Sequence, residues 1–290
     1  MDRKSFIQSS LLIPFLNMNL QDFESEVLGK APLSEKMPVL FVGHGNPMNA
    51  IENNAYHQKW AEIGQSLPRP KAILCVSAHW QTKGTQVTFM ERPKTIHDFG
   101  GFPKALFDTQ YPVSGSPQFA QAAIDALREI HVGKDLDWGL DHGCWSVLKP
   151  MFPEANIPVF QLSLDYFASP EQHFQIGSQL QSLRQKGVLI VGSGNIVHNL
   201  GRLDWGGKPF DWAIEFDQLA KTKINSGDFK SLVNYDTLGK AAQLAIPTNE
   251  HYLPLLYVLA LKDKNEPMHF FNEQIDMGSI AMRSLFIGRD

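Results

Sequence analysis

The sequence predicts an α/β fold, a single domain on a central, largely parallel or mixed sheet flanked by helices. Three observations carry this expectation. Short apolar runs bounded by turn residues recur along the chain, the pattern of strands covered on both faces. Segments of helical periodicity lie between them, and that alternation is what βαβ connections produce. The 290 residues, 43% of them hydrophobic, suffice for one large core, and no repeat, low-complexity tract or linker divides them.

The first strand is expected at 38–42, running into Gly43-His44-Gly45-Asn46-Pro47. The run Ala-Ile-Leu-Cys-Val-Ser at 72–77 is the clearest of the set; further strands are expected at 86–90, 157–164, 188–191, 268–271 and 284–287. Ser116-Pro117 opens a helix as a cap with proline in the first turn, and Phe119, Ala123, Leu127 and Ile130 supply its buried stripe. A second helix is expected over 170–185, stopping at Gly187, with others at 212–223 and 229–242. Residues 251–261 are apolar all round, which predicts a buried helix with Pro254 tolerated in its first turn.

Composition narrows the function. The formal charge is −4 with no basic stripe, so nucleic acid is not an expected partner. No stretch is long enough to span a membrane. Cys75 and Cys144 are the only cysteines; both read as buried packing thiols, and a reducing, cytoplasmic compartment suits them. Residues 1–36 read as an N-terminal extension and 37–290 as the catalytic domain. The extension has the charge-then-apolar order of an export signal. Its apolar stretch is short, however, is broken by Pro14 and lacks a cleavage site, and Arg3-Lys4 departs from a twin-arginine pair.

The chemistry lies in histidines. His44 and His79 each end a predicted strand, and His251 opens the apolar helix. Strand ends converge at one edge of an α/β sheet, and three imidazoles meeting there make a metal site with coordination positions left open. The dipole at the start of a helix disfavours imidazolium and so keeps His251 able to ligate. Glu250 competes with it, since two histidines and a carboxylate also hold iron. Trp80 would wall the site from solvent. His198 follows the turn after the 188–191 strand and suits acid–base work or a fourth ligand position. His142, with Asp141 beside it to orient or charge it, is a second acid–base candidate. His97 belongs to a glycine-rich aromatic loop fit for a pocket rim or lid. His57, His131 and His173 read as solvated, and His269 as a satisfied strand residue. Lys104, Arg202 and Lys208 are the loop cations available to a substrate carboxylate.

Six motifs in order, Gly-His-Gly-Asn-Pro, Ser-Ala-His-Trp, His-Asp-Phe-Gly-Gly-Phe-Pro, Asp-His-Gly-Cys-Trp, Val-His-Asn-Leu and Glu-His-Tyr-Leu-Pro, resemble those of the LigB-type (class III) extradiol ring-cleavage dioxygenases, in particular the 4,5-DOPA dioxygenase branch. The resemblance runs from about Met37 to the C-terminus. It implies a twisted sheet between helical layers with a metal at one sheet edge, His44, His79 and His251 at the metal positions, His198 as acid/base or further ligand, and His142 near the substrate. It also implies one divalent metal, Fe(II) for activity with Zn(II) as the other candidate, and a DOPA-like catechol and O2 as reactants. Protocatechuate-cleaving relatives carry a carboxylate as third ligand where this chain offers His251. Two alternatives use the same residues: a zinc-dependent hydrolase that activates water, and a metal-holding interaction protein resembling the Memo family.

Overall fold

The computed structural model describes residues 36–288; apart from Lys36, the expected N-terminal extension lies outside them. In chain order, β1 (Val39–Gly43) leads to α1 (Ala55–Ser66), β2 (Ala72–Ser77), β3 (Gln81–Thr82), β4 (Thr85–Thr88), α2 (Lys104–Phe107), α3 (Pro117–Ala126), β5 (Val132–Asp135) and α4 (His142–Met151). There follow β6 (Val159–Gln161), β7 (Leu164–Asp165), α5 (Pro170–Gln179), α6 (Gln181–Gln185) and β8 (Val188–Gly194). A helical stretch, α7 (Asp211–Ser226), α8 (Phe229–Val233), α9 (Lys240–Ala245) and α10 (Leu253–Ala260), precedes β9 (Met268–Phe271), β10 (Ile275–Asp276), β11 (Ile280–Ala281) and β12 (Ser284–Ile287).

The central sheet runs β6-β2-β8-β1-β12-β9. β6, β2, β8 and β1 are parallel to their neighbours, while β12 and β9 close one side antiparallel. This is the mixed sheet that the apolar runs predict. Because side chains alternate across a strand, β1 feeds both faces. Val39 and Phe41 join one core with Phe216 of α7, Leu183 of α6 and the apolar residues of α10. Leu40 and Val42 join the other with Trp60 of α1 and Trp145 and Leu148 of α4. The register sets Val39 and Leu74 on either side of Ile190, and Gly43 opposite Gly194, so β1, β2 and β8 end level with one another.

The structure departs from the predicted elements where local apolarity misleads. The 157–164 run breaks because its backbone changes partners: Leu162 N bonds Cys75 O while Ser163 N bonds Gln86 O, and β7 then pairs with β3. The expected 86–90 strand is β4, shifted to start at Thr85 and paired with the polar β5 in a separate ladder. The expected 229–242 helix is broken between Val233 and Lys240: Asn234 caps α8, and Gly239 before α9 has a φ of 92°, outside the helical region. The 170–185 helix divides at Leu180. α3 ends at Ala126 with Leu127 as its cap, leaving Ile130 beyond it. Two helices carry no clear stripe in the sequence. α1 buries only Trp60, and α4 has almost no polar face, with Pro150 inside it.

Buried ion pairs tie the layers together. Arg184 is fully buried and donates to Met37 O at 2.7 Å, Leu261 O at 2.6 Å and both oxygens of Glu266. It thereby fastens the approach to β1 to the end of α10. Arg283 reaches Asp217 of α7 through two hydrogen bonds of 2.8 and 2.6 Å. No helix among the described residues is long and apolar enough to cross a membrane.

Burial alone would raise the Glu266 carboxyl, but hydrogen bonds from Arg184 and the Asp263 amide outweigh it and hold the pKa at about 2. A depressed folded-state pKa contributes stability that is present above the unfolded value and lost as pH falls through the folded one. Glu266→Gln should therefore lower urea stability by about 1–2 kcal/mol at pH 6, after allowance for partial exposure. The gap to wild type should narrow as the pH is taken from 4.5 towards 2, and urea titrations at pH 6 and pH 3 measure it.

Candidate metal centre and active site

The level ends of β1, β2 and β8 form the crevice where α/β sheets bind ligands. His44 directly follows β1, its amide bonded to Gly194 O at 3.1 Å. His79 lies two residues beyond β2. His251 sits in the turn before α10, and its carbonyl accepts from Asn195 N at 2.8 Å. That approach needs glycine: a Cβ on Gly194 would stand 2.1 Å from His251 O. Gly143, second residue of α4, is equally constrained, since a Cβ there would meet Ser77 Oγ at 2.4 Å and His79 Cδ2 at 2.8 Å.

The three predicted rings form a near-equilateral triangle, with centroids 5.0 Å (His44–His79), 5.0 Å (His79–His251) and 5.2 Å (His44–His251) apart. One ligand nitrogen from each lies within 4.8 Å of the others. Each Nδ1 faces an oxygen. Ser193 Oγ stands 3.0 Å from that of His44 and donates its own proton to Gly143 O at 2.5 Å. Asp98 lies 3.4 Å from that of His79, and Glu250 3.2 Å from that of His251. With Nδ1 protonated towards its oxygen, each Nε2 keeps a free lone pair. The Nε2 atoms of His44 and His79 stand only 3.1 Å apart, close enough to share one cation. The donor set thus fits a divalent metal.

Electrostatics agree with the geometry. Burial, followed by the neighbouring histidines, holds His44 and His251 well below the ordinary imidazole range. His79 is lowered to about 3, mainly by burial and His142 against the opposing pull of Asp98 and Glu250. His198 is lowered to about 4, mainly by burial, with Glu250 opposing. All four rings are neutral at pH 7 and free to ligate or accept a proton.

His198 lies flat on His251, ring centroids 3.4 Å apart and planes within 5°, and shares a second potential ligand group with Glu250 and His251. His142, first residue of α4, packs 3.8 Å from His79. Its expected partner is corrected: Asp141 faces Ser77 Oγ (2.6 Å) and caps α4 through Cys144 N (3.1 Å), because an N-cap side chain turns back onto its own helix. The carboxylate that meets His142 is Asp98, 3.0 Å from its Nδ1. Asp98 was missed by sequence reasoning although it adjoins His97 in a quoted motif; a carboxylate in a glycine-rich loop was its only signal.

Other expectations divide. Trp80 is buried and stacks on Trp138 at 5.9 Å. His97 packs against Phe99, Phe107 and Trp145 and bonds Thr109 O at 2.8 Å. His131 is exposed. His173 is not solvated: it is buried beneath α10, Nδ1 3.0 Å from Tyr257 Oη. His57 is half-buried against Asn49 O, also against expectation. His269 lies on β9, exposed. Cys75 and Cys144 are buried and free. Lys104 pairs with Asp108 at 2.6 Å, and Arg202 and Lys208 are exposed.

Residues 38–279 match the family described as the catalytic LigB subunit of aromatic ring-opening dioxygenase. The chain belongs to the LigB family. It is 50% identical over 262 residues to the 4,5-DOPA dioxygenase extradiol of Escherichia coli K12, covering 88% of this chain and 96% of that protein. It is 34% identical over 251 residues to the protein of the same name from Beta vulgaris, covering 84% and 94%. The crystal structure of an uncharacterised Escherichia coli K12 protein superposes with a TM-score of 0.77 at 44% identity, over 87% of this chain and 100% of that one. This LigB protein is an extradiol, aromatic ring-opening dioxygenase with a histidine-rich site able to hold a metal, a result that weighs against the hydrolase and interaction-protein alternatives.

Gly143→Ala should push Ser77 and His79 apart. Overpacking of this kind costs about 2 kcal/mol, and a displacement approaching 1 Å at a reacting centre costs on the order of 100-fold in rate. Thermal unfolding and ring-opening turnover together measure both effects.

Proposed function

We propose that this LigB protein is a mononuclear non-haem iron(II) dioxygenase that opens the ring of a DOPA-like catechol, with His44, His79 and His251 holding the metal. The observation that carries the proposal is the arrangement of three neutral rings, each with its Nδ1 against an oxygen and its Nε2 left free. Glu250, the competing ligand in the sequence, is better used as the oxygen that orients His251. The relatives named 4,5-DOPA dioxygenase extradiol support the substrate class.

Bound at these nitrogens, iron(II) supplies the redox chemistry that couples a catechol to dioxygen; zinc(II), d¹⁰, does not supply it. The protein's own groups do the rest. His198, neutral and flat against His251, takes a proton from a catechol hydroxyl and returns one to oxygen as the ring opens. His142, packed against His79, contacts the substrate. Trp80, stacked on Trp138, excludes water behind His79. Both oxygen atoms of O2 enter the product, an open-chain semialdehyde acid.

Anaerobic loading with Fe(II), followed by oxygen and a panel of catechols including DOPA, tests the reading: a yellow ring-opened product should form with iron and none with zinc or after chelation. Colourless reactions with stoichiometric iron bound would overturn it. His44→Ala should abolish metal retention and turnover together. His198→Ala should lower kcat by about 10²–10⁴-fold while metal affinity stays within a fewfold of wild type. Loss of the metal in that variant would instead make His198 a ligand.

A further inference from the structure

Asp98 belongs to neither the three converging rings nor the acid–base pair, yet it touches both groups. Its Oδ1 accepts from the backbone amide of His142 at 2.8 Å. Its Oδ2 lies 3.0 Å from Nδ1 of His142 and 3.4 Å from Nδ1 of His79. One oxygen reaches both nitrogens because the two rings pack 3.8 Å apart. Nδ1 of His142 is buried and makes no hydrogen bond of regular geometry, so this carboxylate oxygen is the group it faces. The Asp98 side chain is 20% exposed, and the loop carrying it is fixed just upstream: Ile96 N bonds Leu140 O at 2.7 Å, and Ile96 O accepts from the Trp145 indole at 2.8 Å. Phe99 sets its ring at right angles to His142, 5.5 Å away.

We propose that Asp98 is a positioning residue that sets the tautomer of two rings at once, holding the proton of His79 and of His142 on Nδ1 and leaving both Nε2 atoms bare. A neutral imidazole carries its proton on either nitrogen, and the partner of one nitrogen decides which. A carboxylate only accepts, so a ring facing it must present N–H. The inference rests on the proposed metal site, since a bare Nε2 on His79 is what makes that ring a ligand.

Asp98→Asn isolates the effect. The amide oxygen must keep accepting from the His142 backbone amide, so its NH2 replaces Oδ2 and offers protons to both Nδ1 atoms. That drives the ring protons to Nε2. Asp98→Ala merely admits water, which can still accept. Zinc affinity, titrated with Zn²⁺ alone against a competing chelator, should fall about 10–100-fold in Asp98→Asn and by less in Asp98→Ala. A purely structural contact would give the reverse order, because asparagine keeps the hydrogen bond to α4. Imidazole ¹⁵N spectra of the metal-free proteins should show His79 protonated on Nδ1 in the wild type and on Nε2 in Asp98→Asn. Unchanged tautomers, or alanine weaker than asparagine, would overturn the inference. Wild-type zinc binding indifferent to His44→Ala would instead refute the metal site, and the ¹⁵N spectra decide the role of Asp98 in either case.

Discussion

The site depends on keeping several imidazoles uncharged and within contact of one another. Protonation of any one would place a positive charge against its neighbours in a buried space, which is why burial and mutual repulsion both push these rings down. The protein meets the constraint by giving each Nδ1 its own oxygen: a hydroxyl already committed as donor to Gly143 O, a carboxylate from a loop, and a carboxylate adjacent in the chain. A hydroxyl and two carboxylates do the same chemical task, and one ligand nitrogen of each ring lies within 4.8 Å of the others.

Sheet topology makes that convergence possible. β1, β2 and β8 are parallel neighbours in register, so their C-terminal ends lie level, and His44 and His79 leave the sheet side by side. His251 arrives from the far end of the sequence through α10, whose apolar surface packs against β8. Closeness there is bought with missing side chains at Gly194 and Gly143, not with strain. β12 and β9 add no ligand; they close the sheet, and Arg283 binds that side to α7.

Much of this was legible in the sequence. β2, β9 and β12 match their expected bounds residue for residue: β2 and most of β12 are buried and leave an unbroken apolar signature, and the half-exposed edge strand β9 follows from its Met and Phe residues. The three converging histidines were legible because each adjoins such a run or the apolar helix. Short polar strands such as β5 were not, since their pairing is supplied by a partner far away in sequence. Nor was α4, whose burial on all sides erases the amphipathic stripe. The carboxylate assignments failed for a related reason. Asp141 and Asp98 both lie near His142, one by sequence and one by space, and only the fold shows that the adjacent residue turns back to cap its helix while the distant one faces the ring.

The same contrast separates the rigid from the adjustable parts of the site. His44 and His79 are set by strand ends and His251 by a buried turn, positions that a sheet holds within narrow limits. Asp98 and Phe99 are carried on a loop, where sequence can change without unfolding the core, while His198 is tied through its amide to Ala245 O and bridged to Ile280. In an extradiol dioxygenase the rigid set would fix where oxygen and substrate meet, and the loop-borne set would govern proton placement and the shape of the space around the ring. Gly100 has nothing within reach of an added side chain, whereas Gly101 holds a φ of 78° that a side chain would strain, so the loop that carries Asp98 can gain bulk at residue 100 while its carboxylate stays anchored through Ile96 and the start of α4. Changes in this loop can then alter the space around the ring while the three-histidine geometry of this chain stays fixed.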